Sequence, residues 1–177
     1  TAAAYGNPTV SKPINEETSL RPLNPYGQSK VESENFLINN NKVKYIIFRY
    51  FNVAGADPLL RSGLISKVST HLIKIASEVA TGKRKRLTIF GRDYPTNDGT
   101  AVRDYIHVTD LADIHVKGAE YLLSNKNSII LNCGYGKGYS VKEVVENTNK
   151  LIDKPIAYEY GNRRSGDAAI LVSDNNK

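Results

Sequence analysis

A tyrosine and a lysine stand four residues apart in the stretch LNPYGQSK, which covers residues 23–30. Asn24 is a favoured N-cap and Pro25 suits the first helical position, so the stretch predicts a helix that begins at Pro25. Tyr26 and Lys30 then share one helix face, one turn apart. A phenol beside an ammonium group can act as a base, because the positive charge lowers the phenol pKa. The same spacing also suits an exposed tyrosine and lysine that merely cover each other, and the pair alone leaves both interpretations open.

The composition is that of a folded α/β chain. Of the 177 residues, 40% are hydrophobic and 24% are charged, which suits one domain or slightly more. Apolar runs such as YIIF at 45–48 are far too short to cross a bilayer, and nothing near Thr1 resembles a signal peptide. We therefore expect a soluble cytoplasmic protein with no membrane partner. The single cysteine, Cys133, permits no internal disulfide and lies in an apolar run, where we expect a buried thiol.

Apolar runs and helical patterns alternate along the chain, which predicts an α/β fold with parallel strands. The sequence predicts strands in KYIIFRYFN (44–52), KRLTIFG (85–91) and SIILNCG (128–134). It predicts helices in SKVSTHLIKIASEVATG (66–82), DLADIHVKGAEYLL (110–123) and SVKEVVENTNKLI (140–152).

The formal net charge of +6 suits an anionic partner, which could be a nucleic acid, a membrane surface or a phosphorylated small molecule. The densest basic run, GKRKRL at 82–87, follows a predicted helix that Gly82 can end. No aromatic residue interleaves these charges, which favours a solvated helix end over a nucleic-acid site. We therefore expect no nucleic-acid partner.

A glycine cluster in LNCGYGKGYSVKEVV looks like a dinucleotide fingerprint, with glycines at 134, 136 and 138. The fingerprint GxGxxG would need its third glycine at 139, where Tyr139 stands. Ser140 and Glu143 have the spacing of a capping box. The pattern therefore favours a tight turn that leads into a helix over a phosphate loop.

Six segments occur in an order that resembles the UDP-glucose 4-epimerases, which belong to the extended short-chain dehydrogenases. The YxxxK spacing marks only the wider superfamily, whereas IFGRDYPTNDGTAVRDYIHV is long and quite specific to the galactose epimerases. The similarity runs from Thr1 to Lys177. The segments are TAAAYG, NPYGQSK, RYFNVAGA, LTIFGRDYPTNDGTAVRDYIHVTDLA, LNCGYGKGYSV and NRRSGD.

The resemblance implies an NAD(P)-binding Rossmann-like α/β fold, of which this chain would carry the second half of the parallel sheet plus a smaller α/β substrate domain. Residues 1–55 would complete the Rossmann domain and residues 56–177 would form the substrate domain, with about 104–134 packing back on the Rossmann sheet. In the family, the glycine-rich NAD fingerprint precedes the position of Thr1, and the chain continues past that of Lys177. We therefore expect this piece alone neither to hold NAD nor to turn over UDP-galactose, and we expect the full-length protein, as a homodimer, to do both.

The resemblance also assigns residues to the site. Tyr26 would be the catalytic base, Lys30 its NAD-binding neighbour, and Thr1 the residue that hydrogen-bonds both the sugar hydroxyl and the tyrosine. Phe51 would complete the nicotinamide end, and no metal is implied. For the substrate, Asn52 and Arg103 would hold phosphate, Arg164 and Asp167 phosphate and ribose, Thr88, Ile89 and Phe90 uracil, with His71, Leu72 and Leu171 also in the pocket.

Some of these positions keep a second interpretation. From the residues alone, Arg103 would pair with Asp104 or Asp110, and Arg164 with Asp167. His71 suits either a polar pocket contact or an exposed helix position. The family position that limits hexose size is Leu171 here, so UDP-N-acetylhexosamine and UDP-glucuronate 4-epimerases remain alternatives. A non-catalytic remnant that only binds UDP-sugar is a further alternative.

The implied chemistry is a transient oxidation of the sugar at C4. Lowering a phenol pKa of about 10 to neutrality requires roughly 4 kcal/mol. An ammonium about 6 Å away supplies roughly 2.8 kcal/mol at an effective dielectric near 20, and the charged nicotinamide ring would supply about as much again. Tyr26 would then take the 4-hydroxyl proton while hydride passes to NAD, and the 4-keto sugar would be reduced on its opposite face. Related dehydratases carry acidic residues where Ala2 and Ala3 stand here, which disfavours net dehydration.

Overall fold

The computed structural model describes residues 1–8, 13–40, 42–124 and 126–177. It contains a short 3-10 helix over Ala2–Tyr5 and four α-helices, α1 (Pro25–Ile38), α2 (Leu72–Ala80), α3 (Val108–Leu123) and α4 (Val141–Asn149). The strands are β1 (Ile46–Tyr50), β2 (Asn52–Ala54), β3 (Leu87–Phe90), β4 (Val102–His107), β5 (Ile129–Cys133), β6 (Gly138–Ser140), β7 (Tyr158–Gly161) and β8 (Ile170–Leu171).

The strands pair mainly in parallel, as the alternation of strands and helices predicts. Parallel pairs join β1 to β5, β2 to β4, β3 to β7 and β4 to β8. The pair of β4 and β6 is antiparallel. Strand β6 follows β5 after a short turn. Every strand that the sequence predicts is present. KYIIFRYFN contains β1 and the first residue of β2, and these two strands pair with different partners.

The sequence did not predict strand β4. Its six residues, VRDYIH, do not alternate cleanly between apolar and polar types, because Arg103 and Asp104 are both buried. The strand nevertheless lies at the centre of its sheet and pairs with three other strands, β2, β6 and β8. Of its two buried polar residues, Arg103 lines a pocket described below.

Helix α2 begins at Leu72, six residues later than the sequence predicts. Two serine hydroxyls before it bond to nearby backbone, since Ser66 Oγ donates to Val68 O and Ser69 Oγ accepts from His71 N. Such local bonds compete with helical ones, which accounts for the late start. At the other end, the φ of Gly82 is 74° and residues 82–86 are exposed, which confirms the solvated helix end.

Three apolar clusters hold these elements together. The largest packs α2 and α4 against β3 and contains Ala76, Leu87, Ile89, Val145 and Ile156. A second joins Ala2 and Tyr5 of the 3-10 helix to Ile14 and Phe51, and a third surrounds Ile106, Leu111 and Cys133. The predicted buried position of Cys133 is confirmed. Within the described ranges, no helix has the length and apolar character needed to span a membrane.

Candidate functional site

Helix α1 carries the tyrosine and lysine on one exposed face. Asn24 Oδ1 accepts from Gly27 N at 2.8 Å, which confirms the predicted N-cap. Lys30 Nζ lies 5.5 Å from the centre of the Tyr26 ring, and Tyr26 is 53% exposed. A Cβ at Gly27 would lie 2.7 Å from Ala3 O, so only glycine lets the helix start directly on the 3-10 helix. This contact brings Tyr26 to the segment that begins with Thr1, whose Oγ1 accepts from Ala3 N.

A buried ion pair fixes the rest of helix α1. Glu34 lies one turn beyond Lys30 on the buried side of the helix, and its carboxylate accepts from Arg49 Nη2 of β1 at 2.7 Å and from Nε at 3.1 and 3.2 Å. The two side chains are only 7% and 4% exposed. Arg49 Nη1 also donates to the Tyr5 hydroxyl, and that hydroxyl donates to Asn132 Oδ1 of β5. One network therefore ties helix α1 to the 3-10 helix and to two strands.

Phe51 lies directly after β1 in the core. It is 5% exposed, and its ring stacks at 6.5 Å from that of Tyr5. Its N–H donates to Cys133 O at 3.0 Å. The side chain is thus largely enclosed in the core and its N–H is already bonded, so we expect any cofactor contact of Phe51 to involve its carbonyl group.

A cavity of about 270 Å³ lies between β2, β3, β4 and α2. Eight of the ten predicted substrate residues line it, namely Asn52, His71, Leu72, Thr88, Phe90, Arg103, Arg164 and Asp167. These residues come from five separate parts of the chain. The fold therefore brings most of the predicted set to one place, which we call the arginine pocket.

Two predicted substrate residues do not line the arginine pocket. Ile89 is fully buried in the cluster between α2, α4 and β3, so its side chain points away from the pocket side of β3. Leu171 pairs with Arg103 in the sheet, and its side chain packs against the cluster of Ala2, Tyr5, Ile14 and Phe51. The expected side-chain contacts of Ile89 and Leu171 with a pocket ligand are therefore not seen.

Asp167 links the two arginines of the pocket. Arg164 Nε donates to Asp167 Oδ2 at 2.8 Å, and Arg103 Nη2 lies 3.8 Å from Asp167 Oδ1. The alternative pairing of Arg103 with Asp104 or Asp110 is wrong, because Asp104 binds the turn after β5 and Asp110 accepts from the Tyr135 hydroxyl. Two guanidinium groups against one carboxylate leave the pocket with a net positive charge.

The environment of each arginine suits an anion. Arg103 is 8% exposed and donates to Val102 O at 2.8 Å. Burial lowers its pKa, while the Asp167 carboxylate opposes that shift. The guanidinium of Arg164 lies 5.0 Å from the centre of the Phe90 ring, which orients it at the rim. Guanidinium forks of this kind bind phosphate oxygens in pairs.

The glycine turn after β5 is not a phosphate loop. Asp104, fully buried, accepts from Tyr135 N at 2.9 Å, Gly136 N at 3.0 Å and Ser173 Oγ at 2.6 Å. These bonds occupy the backbone amides that a phosphate would need. The capping box of Ser140 and Glu143 is present, so the predicted tight turn that leads into a helix is confirmed.

Sequence reasoning missed several pocket residues. Tyr105 lines the arginine pocket two positions after Arg103, on the same face of β4. The shared face of Arg103 and Tyr105 follows once β4 is known to be a strand. The mixed residue types of β4, however, conceal the strand in the sequence. Thr70, Ile73, Ile75, Ala101 and Val141 also line the cavity.

A sequence profile described as the NAD dependent epimerase/dehydratase family matches residues 1–134. The chain belongs to this family. It is 47% identical over 176 residues to the UDP-glucose 4-epimerase of Azospirillum brasilense, an alignment that covers 98% of this chain and 50% of that protein. The chain thus spans about half the length of the curated relatives that it matches.

Solved structures of family members share the fold. The UDP-glucose 4-epimerase of Bifidobacterium longum in complex with NAD+ and UDP matches with a TM-score of 0.93 and 38% identity, over 100% of this chain and 54% of that one. The UDP-Glc/GlcNAc 4-epimerase of Campylobacter jejuni matches with a TM-score of 0.73 and 44% identity, over 99% and 54%. The predicted class, a Rossmann-like fold of the extended short-chain dehydrogenases, is confirmed.

Proposed function

We propose that this chain forms the catalytic helix and the UDP-sugar pocket of an NAD-dependent UDP-glucose 4-epimerase. Several family members that it resembles carry that name. The observation that carries the proposal is the arginine pocket, where Arg103 and Arg164 share one carboxylate beside the edge of β3 that faces away from β7. The proposed substrates are UDP-glucose and UDP-galactose.

The pocket suits the two ends of a uridine diphosphate. Leu87 N donates to Ala157 O and Gly91 N to Gly161 O, so alternate residues of β3 use their backbone groups on β7. The N–H and C=O groups of Thr88 and Phe90 then face the opposite edge. That edge can hydrogen-bond the uracil ring, while the two arginines bind the diphosphate.

The described residues fit one end of NAD. Tyr26 and Lys30 face open surface at the start of α1, whereas Asp104 closes the glycine turn to a phosphate group. Thr1, Tyr26, Lys30 and the Phe51 carbonyl would therefore hold the nicotinamide end. NAD bound there would supply reversible hydride transfer at C4 of the sugar.

The chain's own contribution to the chemistry is proton transfer. Lys30 Nζ lies 5.5 Å from the centre of the Tyr26 ring, on the exposed side of α1 where a sugar could approach. Tyr26 would be the base that takes the proton of the sugar 4-hydroxyl, with the Thr1 hydroxyl orienting both groups, and would give the proton back when C4 is reduced. The ion pair of Glu34 and Arg49 holds the helix, and hence the tyrosine, at a fixed distance from Thr1.

Activity can be tested in a chimera in which residues 1–177 replace the matching stretch of the Azospirillum brasilense relative. The Tyr26→Phe variant should lower kcat for UDP-galactose at least about 100-fold, because it removes the general base. Tyr121→Phe is the matched control, since Lys126 Nζ lies 5.0 Å from the Tyr121 ring on the distant helix α3. Equal activity of the Tyr26 variant and its control would overturn the proposed role.

Substrate binding can be tested on the 177-residue chain by titration calorimetry with UDP and with uridine. Arg164→Lys keeps the charge but loses the fork, so the Kd for UDP should rise about tenfold while that for uridine stays constant. Arg61→Lys is the control, because Arg61 pairs with Asp57 on an exposed loop. Absence of UDP binding by the parent chain would contradict the pocket assignment.

The range of substrates, the oligomeric state, the cellular location and the binding of NAD are further proposals. The Campylobacter jejuni relative is named for two hexoses, and Leu171 lies outside the arginine pocket, so the breadth of UDP-sugars accepted is best measured in the same chimera. A homodimer and a cytoplasmic location also remain predictions. The expected failure of the chain alone to hold NAD can be checked by cofactor fluorescence.

A further inference from the structure

The hydroxyl of Tyr94 has no hydrogen-bond partner although it is buried. Tyr94 is 5% exposed, and across the described ranges no other buried side-chain nitrogen or oxygen lacks a partner. A buried hydroxyl without a partner is unfavourable and therefore calls for an explanation. Tyr94 belongs to the long motif between β3 and β4, but the proposed function assigns it no task.

The ring of Tyr94 is held so that its hydroxyl cannot turn elsewhere. A Cβ at Gly91 would lie 2.5 Å from Tyr94 Cε2, so the ring lies directly against the backbone that follows β3. The Arg163 guanidinium covers the ring at 4.2 Å, and Asp93 holds that guanidinium at 2.7 Å. The fixed ring sets the position of its hydroxyl.

The hydroxyl lies within electrostatic range of the arginine pocket. Burial raises the pKa of Tyr94, Asp167 raises it further, and Arg103, Arg163 and Arg164 lower it. The ring contact with Arg163 places Tyr94 beside the segment that carries Arg164 and Asp167. Asp167 Oδ2 binds Arg164 at 2.8 Å, whereas Oδ1 lies 3.8 Å from Arg103, beyond hydrogen-bonding distance. Among the described residues, one oxygen of the pocket carboxylate and one buried hydroxyl on the neighbouring loop thus both lack a hydrogen bond.

We propose that Tyr94 is a positioning residue that donates its hydroxyl to Asp167 when an anion binds the two arginines. A bound diphosphate draws both guanidinium groups onto its own oxygens, which removes the partners of Asp167. Tyr94 then supplies the replacement donor and keeps the carboxylate in place beside the ligand. The inference rests on the proposed UDP pocket and adds a residue to it.

The test is Tyr94→Phe in the 177-residue chain, with UDP and uridine as probes in titration calorimetry and with urea unfolding as a second measurement. Because the hydroxyl has no partner without ligand, its removal should leave the urea midpoint unchanged or raise it. The Kd for UDP should rise about tenfold, as for loss of one hydrogen bond to a charged group. The Kd for uridine should change much less, because uridine has no diphosphate to draw the guanidinium groups away from Asp167. Tyr121→Phe, on α3, should change none of these values.

A double-mutant cycle separates this role from simple packing. In an Asp167→Ala background the acceptor is gone, so Tyr94→Phe should have no further effect on UDP affinity. A lowered urea midpoint with unchanged UDP affinity would overturn the proposal and make Tyr94 a purely structural residue. An unchanged UDP affinity in the single variant overturns the role of Tyr94 alone, whereas failure of the parent chain to bind UDP overturns the pocket and this inference together.

Discussion

The Glu34→Gln substitution should destabilise the chain far more than its small change in shape suggests. Glutamine keeps one oxygen acceptor for Arg49 but removes the negative charge that balances the guanidinium. Arg49 is 4% exposed and cannot reach water without moving β1 or α1. The variant therefore leaves an uncompensated charge in the interior.

The expected size follows from the geometry. Removing one partner of a buried ion pair costs about 3–5 kcal/mol, and the acceptor that glutamine retains places this variant near the lower end. With a urea dependence of about 2 kcal/mol per molar, a loss of about 3 kcal/mol lowers the unfolding midpoint by about 1.5 M. That loss is a large part of the ~5–15 kcal/mol by which a domain is stable.

Urea unfolding followed by circular dichroism measures the effect, with Asp57→Asn as the control. Asp57 also pairs with an arginine, Arg61, at 2.6 Å, but that arginine is 73% exposed, so breaking the pair should leave the midpoint unchanged. The double variant E34Q/R49M removes the stranded charge and should recover part of the loss. Equal midpoints for the Glu34 and Asp57 variants would refute the view that this pair anchors α1.

Three further predictions concern single positions. Asn24→Ala removes the cap on Gly27 N and should lower the free energy of unfolding by about 1 kcal/mol in the same urea assay; an unchanged midpoint would contradict the capping role. Burial raises the pKa of Cys133 to about 11, so thiol labelling of the folded chain should be slow at pH 8 and should accelerate towards pH 11, whereas the urea-unfolded chain should label rapidly at pH 8. Equal rates for both forms at pH 8 would argue against a buried thiol. Gly161→Ala places a Cβ 2.9 Å from Thr88 Cγ2 and 3.4 Å from Phe90 Cδ1, and should weaken UDP binding by displacing β3. Gly63→Ala, whose Cβ would make an ordinary contact of 3.8 Å with Ala56 Cβ, should not.

Features that depend on close sequence neighbours were predictable. The start of α1 follows from an N-cap, a proline and a helical pattern within a few residues. The turn after β5 was separable from a phosphate loop because Tyr139 breaks the glycine spacing and Ser140 caps the next helix. Half of the residues that line the arginine pocket were also found, but through resemblance to a family and not through their own pattern.

Features that depend on distant partners were not predictable in the same way. Strand β4 was missed because buried Arg103 and Asp104 disturb the alternation by which strands are recognised. The late start of α2 was missed because serine hydroxyls take backbone bonds that the apolar pattern does not reveal. The expected side-chain role of Ile89 depended on which face of β3 meets the core.

The amino-acid sequence by itself determined the alternating α/β order, the helix that carries Tyr26 and Lys30, and the net positive charge, since these follow from residue types and local spacing. Only the tertiary structure decided that Glu34 pairs with Arg49, that Asp167 joins Arg103 to Arg164, and that the Tyr94 hydroxyl is left without a partner. The physical reason is that a charged or polar group has many acceptable partners along a chain. Packing of the whole fold selects one of them by removing the others from reach and from water.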